Sequence, residues 1–297
     1  MNKSKKLIFF GNERLATGVS TTAPLLQALI NDDYEVAAVV SNYTAATSRN
    51  GRELEIADVA KAHNIPLLLP ESLEQIAEQL EDYRAEAGVL VAYGKIIPQA
   101  IIDIFPRGLV NLHPSLLPLY RGSTPIETAI LNCDAQTGVS IMNLVAKMDA
   151  GVVFAQETLN LNGKETKQQL ADSLGELGAE LLVKSLPDIL DGKIMPKPQN
   201  HAKATYTWRI EKEDGILDFS LPAEVLERQV RAYAGWPKST TRIYSQKIIA
   251  TKAKVVKTND DDALVMRCHP GYLEIEELIG PSGRTMTGVE FVRGYRK

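Results

Sequence analysis

Short apolar runs alternate with helical periodicity over the first two thirds of the chain. The runs at residues 7–10, 35–40, 67–69, 88–93 and 109–112 have the length and flanking turn residues of strands. Between them Ser72-x-x-Gln75 reads as a capping box opening a helix, with Leu73, Ile76, Ala77 and Leu80 on one face. Thr22, with Pro24 in the first turn, starts another helix that ends near Asn31. Leu170, Leu174, Leu177 and Leu181 recur at spacings of four and three, predicting a long helix over 166–189 that Asp191-Gly192 stops. Strands alternating with helices in this way predict an α/β domain, a Rossmann-like, mostly parallel sheet, over residues 1–192.

The pattern then changes. Residues 193–204 carry two prolines and several polar residues without periodicity, which reads as an extended linker. Beyond it a helix is predicted at 222–234, and short runs at 240–244, 247–257, 263–268 and 273–278 read as strands. Several short strands in so small a space predict an antiparallel β-barrel of the oligonucleotide-binding type, an OB-like C-terminal domain over 205–297.

Composition narrows the function classes. At 297 residues and 44% hydrophobic, the chain can build its cores without a disulfide or metal staple. Its two cysteines, Cys133 and Cys268, lie far apart with no metal-ligand spacing. They read as packed thiols of a reducing compartment, with no metal site expected. No apolar run reaches the roughly 18 residues of a membrane span, and the polar start leads into only a few apolar residues, so the expectation is a cytoplasmic protein.

The net charge of −4 conceals an asymmetry: residues 201–297 carry +3 and residues 1–200 carry −7. Between Arg228 and Asn259 stand Arg228, Arg231, Lys238, Arg242, Lys247, Lys252, Lys254 and Lys257, with no acidic residue among them. Such a run suits a phosphate-binding face, and equally the solvated side of barrel strands.

Ligands of open parallel sheets lie beyond the carboxyl ends of the strands, which draws attention to residues 110–122. Alternate strand residues share a face, so Asn111 and His113 offer an amide and an imidazole on one side, a pair able to hold an oxyanion. Residues of these types at a strand end also cap turns, and Asp149, before Ala150-Gly151, reads equally as a turn residue. The loop Gly11 to Gly18 lacks the GxGxxG spacing, which argues against a nicotinamide cofactor. His63, His201 and His269 lie outside these segments and read as structural or exposed.

The string Asn-x-His-x-Ser-Leu-Leu-Pro-x-x-Arg-Gly-x-x-Pro-Ile over 111–126, with Met-Asp-x-Gly at 148–151, resembles the folate-dependent formyltransferases. So do Val91-Ala-Tyr-Gly-Lys-Ile-Ile-Pro98 and Thr137-Gly-Val-Ser-Ile-Met142. In the second domain residues 205–218 and Arg231-Ala-Tyr-Ala-Gly-Trp-Pro237 look like the members that formylate initiator methionyl-tRNA. The resemblance implies 10-formyltetrahydrofolate as donor, no metal and no stable protein partner, with Asn111, His113 and Asp149 as the catalytic trio. It places folate contacts at Ser115, Leu116, Leu117 and Pro118, and pterin-pocket walls at Tyr93, Gly94, Ile96 and Ile97. For the tRNA it implies Arg49 and Arg52, to which the basic run adds Arg231, Lys238, Arg242 and Lys247. Two segments depart from the family pattern. Gly11-Asn-Glu-Arg-Leu15 replaces Gly-Thr-Pro-x-Phe, and the loop from Ser41 to Arg52 lacks the usual Asp-Arg or Asp-Lys. Two other functions compete: a formyltransferase for a small amine such as a nucleotide-linked amino sugar, and a non-catalytic nucleic-acid-binding module, which gives Asn111, His113 and Asp149 no reason to occur together.

Overall fold

The computed structural model describes residues 5–42, 54–258, 260 and 262–296. The chain divides into two compact units, one of Met1–Pro125, Gln136–Asn160 and Ala171–Trp208, the other of Ile126–Ala135, Leu161–Leu170 and Arg209–Lys297. Among the described residues no helix is long and apolar enough to cross a membrane.

The first unit is built on a seven-stranded sheet ordered β3-β2-β1-β4-β5-β6-β7. The strands β1 (Lys6–Gly11), β2 (Glu35–Val40), β3 (Leu67–Leu68), β4 (Ala87–Val91) and β5 (Leu109–His113) pair in parallel. All five residues of β4 and all five of β5 are buried, as befits strands covered on both faces. Two antiparallel strands, β6 (Gln136–Asn143) and β7 (Val153–Asn160), complete the sheet beyond β5. Apolar runs do not announce them: Gly138 and Ser140 interrupt β6, and Gln156 and Glu157 interrupt β7.

The helices of this unit are α1 (Pro24–Asn31), α2 (Glu55–Ala62), α3 (Ala77–Asp82) and α4 (Gln99–Ile102). The capping box at Ser72 does not form. Ser72 makes no side-chain cap hydrogen bond, and Leu73–Ile76 wind as a 3-10 turn before α3 begins. That tighter turn closes bonds three residues apart, as where the Ala77 amide donates to the Glu74 carbonyl, a geometry that does not suit the box. After α5 (Pro125–Leu131) and the β6–β7 pair comes α6 (Lys167–Leu190), with Leu170, Leu174 and Leu181 buried as the periodicity predicts. Lys197, in the stretch expected to be a linker, lies within the first unit; it is extended and exchanges both backbone hydrogen bonds with Val153. Of the two cysteines Cys268 is buried, whereas Cys133 is exposed and so is not the packed thiol its type suggested.

The unusual loop after β1 has a structural purpose. At Gly11, φ is +133° and a Cβ would fall 1.7 Å from the Val91 carbonyl oxygen, so only glycine fits. Two residues on, Glu13 turns inward, and its carboxylate accepts from the backbone amides of Leu25 and Leu26 at 2.8 Å each. It thereby caps α1, whose own N-cap residue, Ala23, has no side chain to do so. Burial pushes the Glu13 carboxyl up from 4.5 to about 7, against the lowering effect of the two amides. A carboxyl raised on folding contributes most below its unfolded value, and that contribution is lost as pH climbs through the folded value. Stability should therefore fall by about 3 kcal/mol on this account between pH 4.5 and 8, and Glu13→Gln should flatten the descent. Urea unfolding of both proteins across this range checks it; parallel profiles would show that Glu13 does not titrate there.

The second unit carries an antiparallel sheet ordered β10-β11-β9-β8, with β12 also pairing β11. Its strands are β8 (Ser239–Ile243), β9 (Gln246–Val256), β10 (Val265–Arg267), β11 (Tyr272–Ile279) and β12 (Thr285–Thr287). Register irregularities at Ile275, Glu277 and Leu278 bend β11, and the sheet curls into a half-barrel. Leu226 and Val230 of α7 (Ala223–Ala232) and Phe291 of α8 (Gly288–Tyr295) fill its core with Leu273, Ile275 and Leu278. A complete capping box, Thr287 with Glu290, opens α8. Also in this unit, Glu127 and Lys167 form an ion pair at 3.5 Å, with side chains only 2% and 1% exposed.

Candidate active site

β5 lies between β4 and β6 and points one face of its side chains at the site. Asn111 and His113 share that face, each 5% exposed, while Leu112 points to the other. There α6 approaches closely: a Cβ on Gly178 would lie 2.3 Å from Leu112, so this glycine sets how near the helix comes to the strand. The face bearing Asn111 and His113 is thus held by packing from behind.

His113 Nε2 is 2.9 Å from the Tyr120 carbonyl oxygen. A carbonyl only accepts, so Nε2 carries a proton and donates it there. The other ring nitrogen, Nδ1, faces the Asp149 carboxylate at 3.8 Å. Asp149 has a backbone φ of +46°, unusual for a residue with a side chain, and its Oδ2 accepts from the Gly122 amide at 2.7 Å. Gly151 stands where a Cβ would fall 1.8 Å from the Asn143 carbonyl oxygen, which packs the Asp149 turn against the end of β6. An amide, an imidazole and a carboxylate therefore stand at the carboxyl end of β5. Together they can polarise a carbonyl, stabilise a developing oxyanion and move a proton between His113 Nδ1 and Asp149.

Of the residues expected to touch folate, Tyr93 and Ile97 are buried and Ile96 is 89% exposed, on the loop after β4. Gly94 has φ +76°, and the Tyr93 carbonyl accepts from the Asn42 side-chain amide. Ser115 is fully buried, and its hydroxyl donates to the Leu119 carbonyl at 2.6 Å. The Leu117–Pro118 peptide is cis. Gln156 donates to the Leu117 carbonyl at 2.9 Å, and Leu117 packs with Met142 and Val153, while Leu116 and Pro118 are half-buried. Loops after parallel strands leave the same edge of the sheet, so the loops after β4 and β5 both border the trio.

The basic residues are not all alike. Arg49 and Arg52 lie outside the described residues. Arg231 is held within its unit, donating to Glu227 at 2.7 and 2.9 Å and to the Glu165 carbonyl at 2.7 Å. Lys252 pairs with Glu276, and Lys254 with Glu274 and Glu276, so acids on β11 face a run that is acid-free in sequence. Lys238, Arg242 and Lys247 are exposed. Arg242 and Lys247 stand directly opposite each other on β8 and β9. Like charges in register repel, and an anion between them relieves the repulsion.

Sequence reasoning gave no role to Arg121 or Gln199. Arg121 lies within the motif, yet nothing in its spacing revealed that the guanidinium is fully buried. Gln199 belongs to a stretch read only as a spacer.

Comparison with known proteins follows the same lines. The family model described as formyl transferase matches residues 6–186, and its C-terminal domain model matches residues 209–296. A methionyl-tRNA formyltransferase of Chloroflexus aurantiacus is 38% identical, covering 97% of this chain and 96% of that protein. One from Roseiflexus castenholzii is 36% identical over 99% and 97%. Among solved structures, HypX from Aquifex aeolicus in complex with tetrahydrofolic acid gives a TM-score of 0.67 at 15% identity over 99% of this chain, which spans about half (47%) of that longer protein. The N-formyltransferase from Helicobacter canadensis, in complex with folinic acid and dTDP-3-aminofucose, gives 0.65 at 18% identity, covering 96% of this chain and 98% of its own. With both units matched by their family models and relatives this similar along the whole length, the chain belongs to the formyl transferase family.

Proposed function

We propose that this protein transfers the formyl group of 10-formyltetrahydrofolate to the α-amine of methionyl-tRNA, with initiator tRNA as the acceptor, in the cytoplasm. The approach of His113 to Asp149 at 3.8 Å, beside Asn111 on one buried strand face, is the observation that carries the chemistry. Identities of 36–38% to methionyl-tRNA formyltransferases support the acceptor.

The donor supplies the activated formyl carbon. Exposed Ile96 on the loop after β4 and Met148 beside Asp149 offer apolar surface to a flat ring, and Gly94 leaves room for one, since an added Cβ would meet nothing nearer than 3.7 Å. The α-amine of an aminoacyl ester has an ordinary pKa near 8, so part of it is neutral near pH 7 and no strong base is needed to begin. The Asn111 amide stabilises the oxyanion. Asp149 and His113 Nδ1 take the proton that the amine sheds and return it to the leaving nitrogen.

A second unit does not by itself separate tRNA from a small amine, because the Helicobacter canadensis enzyme shares the fold over 96% of this chain. The decisive experiment follows tetrahydrofolate release with methionyl-tRNA or an amino-sugar nucleotide as acceptor. Turnover confined to the sugar would overturn the proposal.

The exposed basic residues give a separate test. Neutralising Lys238, Arg242 and Lys247 together should weaken tRNA binding and reduce its salt dependence by up to about one slope unit for each phosphate no longer neutralised. Binding of the formyl donor should be unaltered. An unchanged salt slope would show these side chains to be merely solvated.

A further inference from the structure

Asp149 is held from two sides. The Gly122 amide binds its carboxylate, and its carbonyl accepts from the Gln199 side chain at 2.8 Å. The same Gln199 amide nitrogen donates to the Gly151 carbonyl at 2.7 Å, so one side chain bridges both ends of the Asp149 turn. Its oxygen accepts from Arg121 Nε at 3.1 Å and Nη2 at 2.6 Å. Arg121 immediately precedes Gly122. The connections therefore close a ring from the Arg121 side chain through Gln199 and Asp149 back to the Gly122 backbone.

Both ends of this ring are fixed. Arg121 is wholly buried, and Nη2 also donates to His201 Nδ1 at 2.9 Å. Its backbone bonds to Thr205 and Thr207 on the segment following Gln199. Gln199 itself is 9% exposed, two residues beyond the Lys197 pairing with Val153. A buried guanidinium that spends two donors on a neutral amide, with no carboxylate salt bridge among the described residues, is unusual. That amide fixes a turn whose Asp149 sits at φ +46°. The energy of the network thus holds a strained residue in place.

We infer that Gln199 is a positioning residue for the reaction, a clamp that, braced by Arg121, holds Asp149 at its working distance from His113. The inference rests on the proposed role of Asp149. It makes the stretch around Gln199, which the sequence suggests is only a spacer, part of the catalytic apparatus, although Gln199 touches no reacting atom.

Gln199→Glu separates positioning from simple stability. The new carboxylate still accepts from Arg121, but it cannot donate to the carbonyls of Asp149 and Gly151. Turnover with methionyl-tRNA should fall about tenfold or more, with KM for the formyl donor little changed, since a small displacement at a reacting centre costs this much. In an Asp149→Asn background the same substitution should lower turnover by less than about twofold further, because it acts through Asp149. Amide hydrogen exchange at Gly122, read without substrate, should quicken about tenfold as Asp149 loosens. Gln199→Met, which removes the donors without adding charge, repeats each measurement if Gln199→Glu folds poorly. Wild-type turnover in a folded variant, a full tenfold loss in the Asp149→Asn background, or unchanged Gly122 exchange would overturn the clamp. Wild-type protein in the same assay tests the acceptor reading independently.

Discussion

Asn111→Ala and His113→Ala should each lower turnover by about a hundredfold or more while the fold persists. For Asn111, a donor aimed at a developing oxyanion is worth about 3 to 4 kcal/mol, which is a factor of this size; for His113, a positioned proton-transfer group contributes about a hundredfold or more. Asn111 lies on an interior strand whose backbone is paired on both sides, to β4 and to β6, so alanine removes the amide without releasing the strand. His113→Ala removes the ring that links the Tyr120 carbonyl to Asp149, and with it the proton acceptor at Nδ1. In the proposed mechanism the two residues act on one transition state, so the double variant should be only slightly worse than either single one. Steady-state turnover at saturating donor and methionyl-tRNA measures this, with circular dichroism confirming the fold. Near-wild-type turnover in a folded variant would remove that residue from the mechanism.

Asn111 and His113 were legible because a strand's period of two fixes which residues share a face, and the apolar run around them marks the strand. The parallel core was legible for the same reason: β1, β2, β4 and β5 are near-continuous apolar runs. β6 and β7 were not, since Gly138, Ser140 and Gln156 break the pattern that reveals strands. Ser140 and Gln156 are polar because they bind the loop from Ser115 to Leu117, with Ser140 donating to the Ser115 carbonyl at 2.6 Å. The helix at Pro24 was predicted from its proline, but its cap comes from Glu13, eleven residues earlier, a relation no local pattern contains. Gln199 was hidden in the same way, because its meaning lies in two carbonyls about fifty residues away. The basic run was legible as charge but not as surface. Only the strand register shows that β11 supplies acids to Lys252 and Lys254 and leaves Arg242 facing Lys247.

Lys167→Met should destabilise the protein by about 3 to 5 kcal/mol, the usual cost of stranding one member of a buried ion pair. Burial raises the pKa of Glu127 despite Lys167, and burial lowers that of Lys167 despite Glu127. Desolvation thus outweighs attraction for both partners, and the pair persists because each member would be worse off alone. Among the described residues Glu127 Oε2 has no hydrogen-bond partner, so loss of the lysine leaves that carboxyl still less compensated. Lys167 also donates to the Trp236 carbonyl at 2.8 Å, tying the start of α6 to the segment before β8, and this bond goes too. A carboxyl raised on folding is best tolerated when protonated, so the deficit of Lys167→Met should shrink as pH falls and grow as it rises. Replacing both partners, as Glu127→Leu with Lys167→Met, should cost less than Lys167→Met alone, because no buried charge then remains. Urea unfolding of the two variants and the wild type at pH 5.5 and 8 reads all three expectations. A single variant within about 1 kcal/mol of wild type, or a double variant less stable than the single, would show that the pair is not the buried, mutually dependent unit its geometry describes.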